Sequence, residues 1–143
     1  MPEDDKPATG VPAPYPLAMV ICDAIWRDPG TGKEFLLGLF SMIHARSFPA
    51  VHPIVAVHVA LTDGRGKLPI RLVLVDAEQE KPPLFERTQE IEFSDPRAVV
   101  ALDYHLANVK FDEPGEYRFQ LYAGAEPLME RRFIVRRIEE DKP

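Results

Sequence analysis

Short runs in which apolar and polar residues alternate fill most of this chain, separated by clusters of turn residues. The pattern is clearest from Ile54 to Ala77. Val55, Val57, Val59 and Leu61 fall on one side of a first strand, and Leu68, Ile70, Leu72 and Leu74 on one side of a second. Asp63-Gly64-Arg65-Gly66 lies between them, with two glycines to supply the backbone conformations of a tight loop, so the pair reads as a hairpin. Such a hairpin is barely stable alone and must bury its apolar face against another sheet.

Two further strands precede it, Leu17–Arg27 and Glu34–Ala45, joined by Asp28-Pro29-Gly30-Thr31-Gly32-Lys33. Both are apolar on both faces. Met19, Ile21 and Ile25 oppose Val20, Cys22, Ala24 and Trp26; Phe35, Leu37, Leu39 and Ile43 oppose Leu36, Phe40 and Met42. A strand of that kind is covered on both sides. In a two-sheet domain the second face needs the N-terminal arm, a long loop or another subunit to cover it. Residues 46–53 read as a loop, because Pro49 and Pro53 interrupt a regular strand.

Downstream, Leu84–Phe93 is a half-exposed edge strand, with Phe85, Ile91 and Phe93 opposite Glu86, Thr88, Glu90 and Glu92. Ala98–Val109 alternates through Val100, Leu102, Tyr104 and Leu106 and reads as a strand, with a short helix as the other option. Tyr117–Ala123 and Leu128–Arg137 form a closing hairpin. About eight strands and no clear helix predict an all-β antiparallel β-sandwich. The sandwich is expected over 17–137, after a flexible proline-rich arm over 1–16 and before a charged tail over 138–143.

Phe111-x-Glu113-Pro114-Gly115-x-Tyr117-x-Phe119-x-Leu121, then Leu128-x-Glu130-x-x-Phe133-x-Val135, resembles the closing hairpin of many bacterial immunoglobulin-like sandwich domains. Ile21-Cys22-Asp23, Gly38-x-Phe40, Phe48-Pro49 and Leu61-Thr62-Asp63-Gly64-Arg65-Gly66 extend the likeness over nearly the whole chain. Together they are similar to a bacterial family of uncharacterised single-domain proteins. The resemblance implies an immunoglobulin-like fold and no assigned activity.

Composition narrows the function classes. The 143 residues suffice for one domain with its own core. The single cysteine, Cys22, has no disulfide partner in the chain. Seventeen basic against 23 acidic residues give a net charge of −6, which argues against a phosphate-tracking nucleic-acid binder. The acidic, proline-rich start lacks the basic and apolar regions of a signal peptide, and no apolar run is long enough for a membrane span. A cytoplasmic protein that binds neither nucleic acid nor membrane is expected.

Little points to chemistry. His44, His52, His58 and His105 show no HxH, HxxxH or HExxH spacing, so no metal site and no cofactor are expected. Cys22 reads as a small buried hydrophobe. Asp23, set in an apolar strand, needs a hydrogen-bonding partner if buried. Glu86, Glu90, Glu92 and Asp103 would form an acidic patch if their strands pair. No nucleophile–base pair has motif spacing, so no catalytic residue is assigned and an enzyme ranks third.

The expectation is a non-enzymatic binding module, a homo-oligomer or the partner of another protein. Trp26, Phe40 and Met42 are the candidate apolar interface. Arg118, Tyr122, Arg132 and Arg136, which share outward parity, are a second candidate surface for an acidic partner or a phosphate-bearing ligand. A carbohydrate- or small-ligand-binding sandwich is the alternative, with exposed Trp26 and Tyr122 as its signature.

Overall fold

The Ile54–Ala77 segment does not close on itself as a hairpin; its two halves enter different sheets. The computed structural model describes residues 12–78 and 81–139. Most of the arm and most of the tail expected from sequence lie outside the described residues. Among the described residues there are nine strands: β1 (Tyr15–Arg27), β2 (Glu34–Leu39), β3 (Met42–Ala45), β4 (Ala50–Thr62), β5 (Gly66–Asp76), β6 (Phe85–Phe93), β7 (Val100–Phe111), β8 (Gly115–Ala123) and β9 (Glu126–Arg137). They form a four-stranded sheet, β2-β1-β4-β7, and a five-stranded sheet, β3-β9-β8-β5-β6.

The alternation in β4 and β5 was legible, but its use differs from the expected one. The apolar faces of the two strands meet across the sandwich instead of lying side by side in one sheet. Val55, Val57, Val59 and Leu61 look toward Leu68, Ile70, Leu72 and Leu74, all at 1% exposure or less. The connection is an arch. Asp63 takes φ 62 and donates its N–H to Pro96 O at 2.8 Å, and Gly64 sits against the Phe93 ring.

Other expectations change, while the strand expected from Ala98 is present with shifted bounds. The predicted strand Glu34–Ala45 breaks at Phe40-Ser41, and β3 crosses to the other sheet, where it pairs parallel with β9. The five-stranded sheet is therefore mixed, and the sandwich is not purely antiparallel. The loop expected over 46–53 is a strand from Ala50 on. Pro53 is tolerated because β1 pairs with β4 only as far as Cys22↔Ala56, so that edge of β4 needs no donor at Pro53. The segment from Ala98 is strand from Val100, and Asn108 at φ 55 lies opposite Pro53. Beyond that irregularity Val109 and Phe111 turn into the core.

The centre of the sandwich is aromatic. Phe133 lies 5.7–6.0 Å, centroid to centroid, from Phe111, Tyr117 and Phe119. One strand edge between the sheets is tied by Arg131, which donates to Met19 O at 2.8 Å. Among the described residues no helix is long and apolar enough to cross a membrane.

Candidate functional site

The end of the β1–β2 hairpin answers the question of what covers the surplus apolar face. Val20 pairs with His58, and Arg27 pairs with Glu34. Seven residues of straight strand would separate Val20 from Arg27 by roughly 23 Å. Yet Glu34 Oε1 lies 3.5 Å from His58 Nδ1. The hairpin beyond Cys22 must therefore curl back as an arm over the outer face of the four-stranded sheet. Gly38, at φ +72, supplies the bend: the Asp23 carboxylate occupies the space a side chain there would fill. The tip is closed by Asp28, whose carboxylate accepts from Thr31 Oγ1 at 2.7 Å and from Thr31 N–H at 3.1 Å.

Small residues let the arm approach. Cys22, Ala56 and Ala60 are buried although they face away from the central core. Ile25 and Leu36, of the same parity as Arg27 and Glu34, are half-buried. Burial pushes the Cys22 thiol above its ordinary value, and its Sγ–H donates to Ala24 O at 3.4 Å. Cys22 in the folded protein is accordingly expected to resist a thiol reagent such as DTNB. Gly38→Val strains the positive-φ bend and displaces Asp23, so it should raise the rate of labelling at least about tenfold without global unfolding. Timed labelling with circular dichroism in parallel checks this; equal rates would mean that the arm does not shield the thiol.

Beneath the arm three strands bring ionisable groups together. His58 Nδ1 on β4 lies 2.8 Å from Asp103 Oδ1 on β7. Glu34 on β2 faces the same nitrogen, and its other oxygen, Oε2, accepts from Arg27 Nη2 at 2.9 Å. The side chains of Glu34, His58 and Asp103 are 13%, 16% and 17% exposed. The Asp103 carboxyl held against Glu34, together with burial, pushes the Glu34 carboxyl above its ordinary value. Nothing in the sequence spacing announces this cluster, since Glu34, His58 and Asp103 meet only through strand pairing and the fold of the arm.

The outer face of the arm is apolar throughout. Trp26 and Phe35 sit with ring centroids 5.3 Å apart, and Leu37 and Leu39 continue the strip. These four side chains are 47–63% exposed. Of the residues named from sequence, Trp26 belongs to this strip. Met42 is exposed at β3, whereas Phe40 packs on the core and against the His52 ring. Phe35, Leu37 and Leu39 were missed because their strand is apolar on both faces, so alternation does not say which face stays outside.

The second candidate surface is on the opposite side of the molecule. Arg118 and Arg132 are register partners on β8 and β9, but Arg118 is held by Glu116 at 2.8 Å and Glu130 at 3.2 Å. Tyr122 is capped by the Arg71 guanidinium, 4.3 Å from its ring centroid, and Arg136 reaches the Met42 sulfur at 4.0 Å. The face is a mixed, ion-paired one. The acidic patch does not form, because β6 pairs with β5 and lies in the other sheet from Asp103. Asp23, His44 and His52 line one shallow depression beside Gly38 and Phe40.

Comparison with known proteins places the chain by family alone. It belongs to the family of unknown function DUF6941, whose model matches residues 17–136. No curated protein sequence matches it. Among solved structures it is similar to part of a β-glucosidase from Kluyveromyces marxianus, at 13% identity and TM-score 0.44, over 71% of this chain and 15% of that one. It is similar as well to part of a β-glucosidase from Listeria innocua in complex with isofagomine, at 13% identity and TM-score 0.45, over 87% of this chain and 17% of that one. The chain thus spans about a sixth of the length of either enzyme.

Proposed function

We propose that this member of DUF6941 is a non-enzymatic, immunoglobulin-like interaction module that pairs with a second copy of itself through the outer face of the β1–β2 arm. The single observation that carries this is the strip of Trp26, Phe35, Leu37 and Leu39, exposed on one side of one ribbon. By side-chain size the strip offers on the order of 400 Å² of apolar surface, at the scale where a patch on a monomer is functional. A standard interface takes about 800 Å² from each partner, so the strip would be its apolar centre and the charged arm tip its rim. A two-fold interface needs only one self-complementary patch, and two flat ribbons stack face to face at about 10 Å.

Strand order supports the immunoglobulin-like reading. β1-β4-β7 follows the A-B-E order, and β9-β8-β5-β6 follows G-F-C-C′. Tyr117, near the start of β8, donates its hydroxyl to Glu113 O at 2.6 Å, the hydrogen bond of a tyrosine corner. The sugar-binding alternative has less behind it. Trp26 is flanked on its own face by Ala24, Phe35 and Leu37, without the polar groups that orient a sugar, and Tyr122 lies across the sandwich under Arg71.

Light scattering over a concentration series tests the proposal. A dimer is expected, with a blue shift of Trp26 emission on association, which is unambiguous because the chain has one tryptophan. Trp26→Ala should weaken pairing by about 30-fold, and Leu37→Glu by more, since it buries a charge at the centre. A strict monomer at millimolar concentration would overturn the proposal.

A further inference from the structure

We propose that Glu34, His58 and Asp103 bind a divalent transition-metal ion, zinc or manganese in character, that ties the arm to the four-stranded sheet. One imidazole nitrogen and two carboxylates are a donor set for such ions, with water completing the shell. The three donors lie within 4.8 Å of one another. Around an ion with bonds of roughly 2.0–2.2 Å, neighbouring donors stand roughly 2.9–3.6 Å apart. His58 Nδ1 is 2.8 Å from Asp103 Oδ1 and 3.5 Å from Glu34 Oε1, so a small adjustment of one side chain seats the ion.

The surroundings fit as well. Arg27 holds Glu34 Oε2 and leaves Oε1 turned toward His58, the outer-shell support that ligating carboxylates receive. Arg27 neutralises one carboxylate only. Two carboxylates crowded at one imidazole leave negative charge for a cation to offset. The side chains are shielded by the arm but retain enough exposure for an ion to enter. The ligands come from β2, β4 and β7, so an ion would cross-link segments far apart in sequence, whether or not the protein self-associates.

The test is calorimetric titration of chelator-treated protein with zinc and manganese chlorides, with thermal unfolding alongside. One ion per chain and a rise of several degrees in Tm are expected. Asp103→Asn, nearly isosteric, and His58→Ala should each weaken binding about 100-fold or more. His44→Ala, in the other sheet, should leave it unchanged. No binding at millimolar metal, or the same affinity in Asp103→Asn as in the parent chain, would overturn the site. Should His58→Ala fail to fold, Asp103→Asn carries the comparison.

Discussion

Phe133→Ala is expected to lower the free energy of unfolding by about 4 kcal/mol, the middle of the range for truncating a buried aromatic. The ring is 1% exposed and touches three others, edge-on to Phe111 and near-parallel to Tyr117 and Phe119. Its removal forfeits the transfer of a phenyl ring and the ring-to-ring geometry. The cavity would open between β7, β8 and β9, whose paired backbones resist collapse. Chemical denaturation at constant m-value is the direct measurement, with a fall of Tm on the order of 10 °C expected in parallel. A loss below about 1.5 kcal/mol would mean that the neighbouring rings close over the gap and that the centre is more plastic than its packing indicates.

Gly64→Ala is expected to cost about 3 kcal/mol, far above the usual effect of adding one methyl group in a surface turn. A Cβ at Gly64 would stand 2.1 Å from Cδ2 of Phe93 and 2.4 Å from its Cγ. These atoms are at the root of a ring that is 4% exposed, so relief requires moving the ring or the arch itself. The double variant isolates the cause. In a Phe93→Leu background the same substitution should cost clearly less, giving a non-additive cycle measured by denaturation. Additive effects would place the strain in the arch backbone instead.

Both effects concern parts of the chain where local pattern and tertiary role diverge. Gly64 was legible as a turn residue, but its closest contact is with a strand about thirty residues later. The glutamates of β6 were legible as an exposed face, and that strand is at a sheet edge with Phe93 in the core. The closing strands β8 and β9 pair as their alternation implied, in one register from Gly115↔Val135 to Leu121↔Met129 and shifted by one residue from Tyr122↔Pro127 on. Where one face of a strand is buried, period-2 alternation fixes which side chains point inward.

The sequence by itself determined that the chain is built of strands, where most of them run, and which faces of β4 through β9 are apolar. It determined as well that β1 and β2 carry more apolar surface than a two-sheet core absorbs. Tertiary structure alone decided how that surplus is divided. The arm folds back over the face on which Cys22, Ala56 and Ala60 are buried and leaves Trp26, Phe35, Leu37 and Leu39 outside. It alone decided that β4 and β5 face each other across the core, that β3 joins β9 in parallel, and that Glu34, His58 and Asp103 meet. The reason is one of range. Alternation records the environment of a residue's own strand, whereas sheet membership, the bend at Gly38 and the meeting of three strands depend on partners distant in sequence.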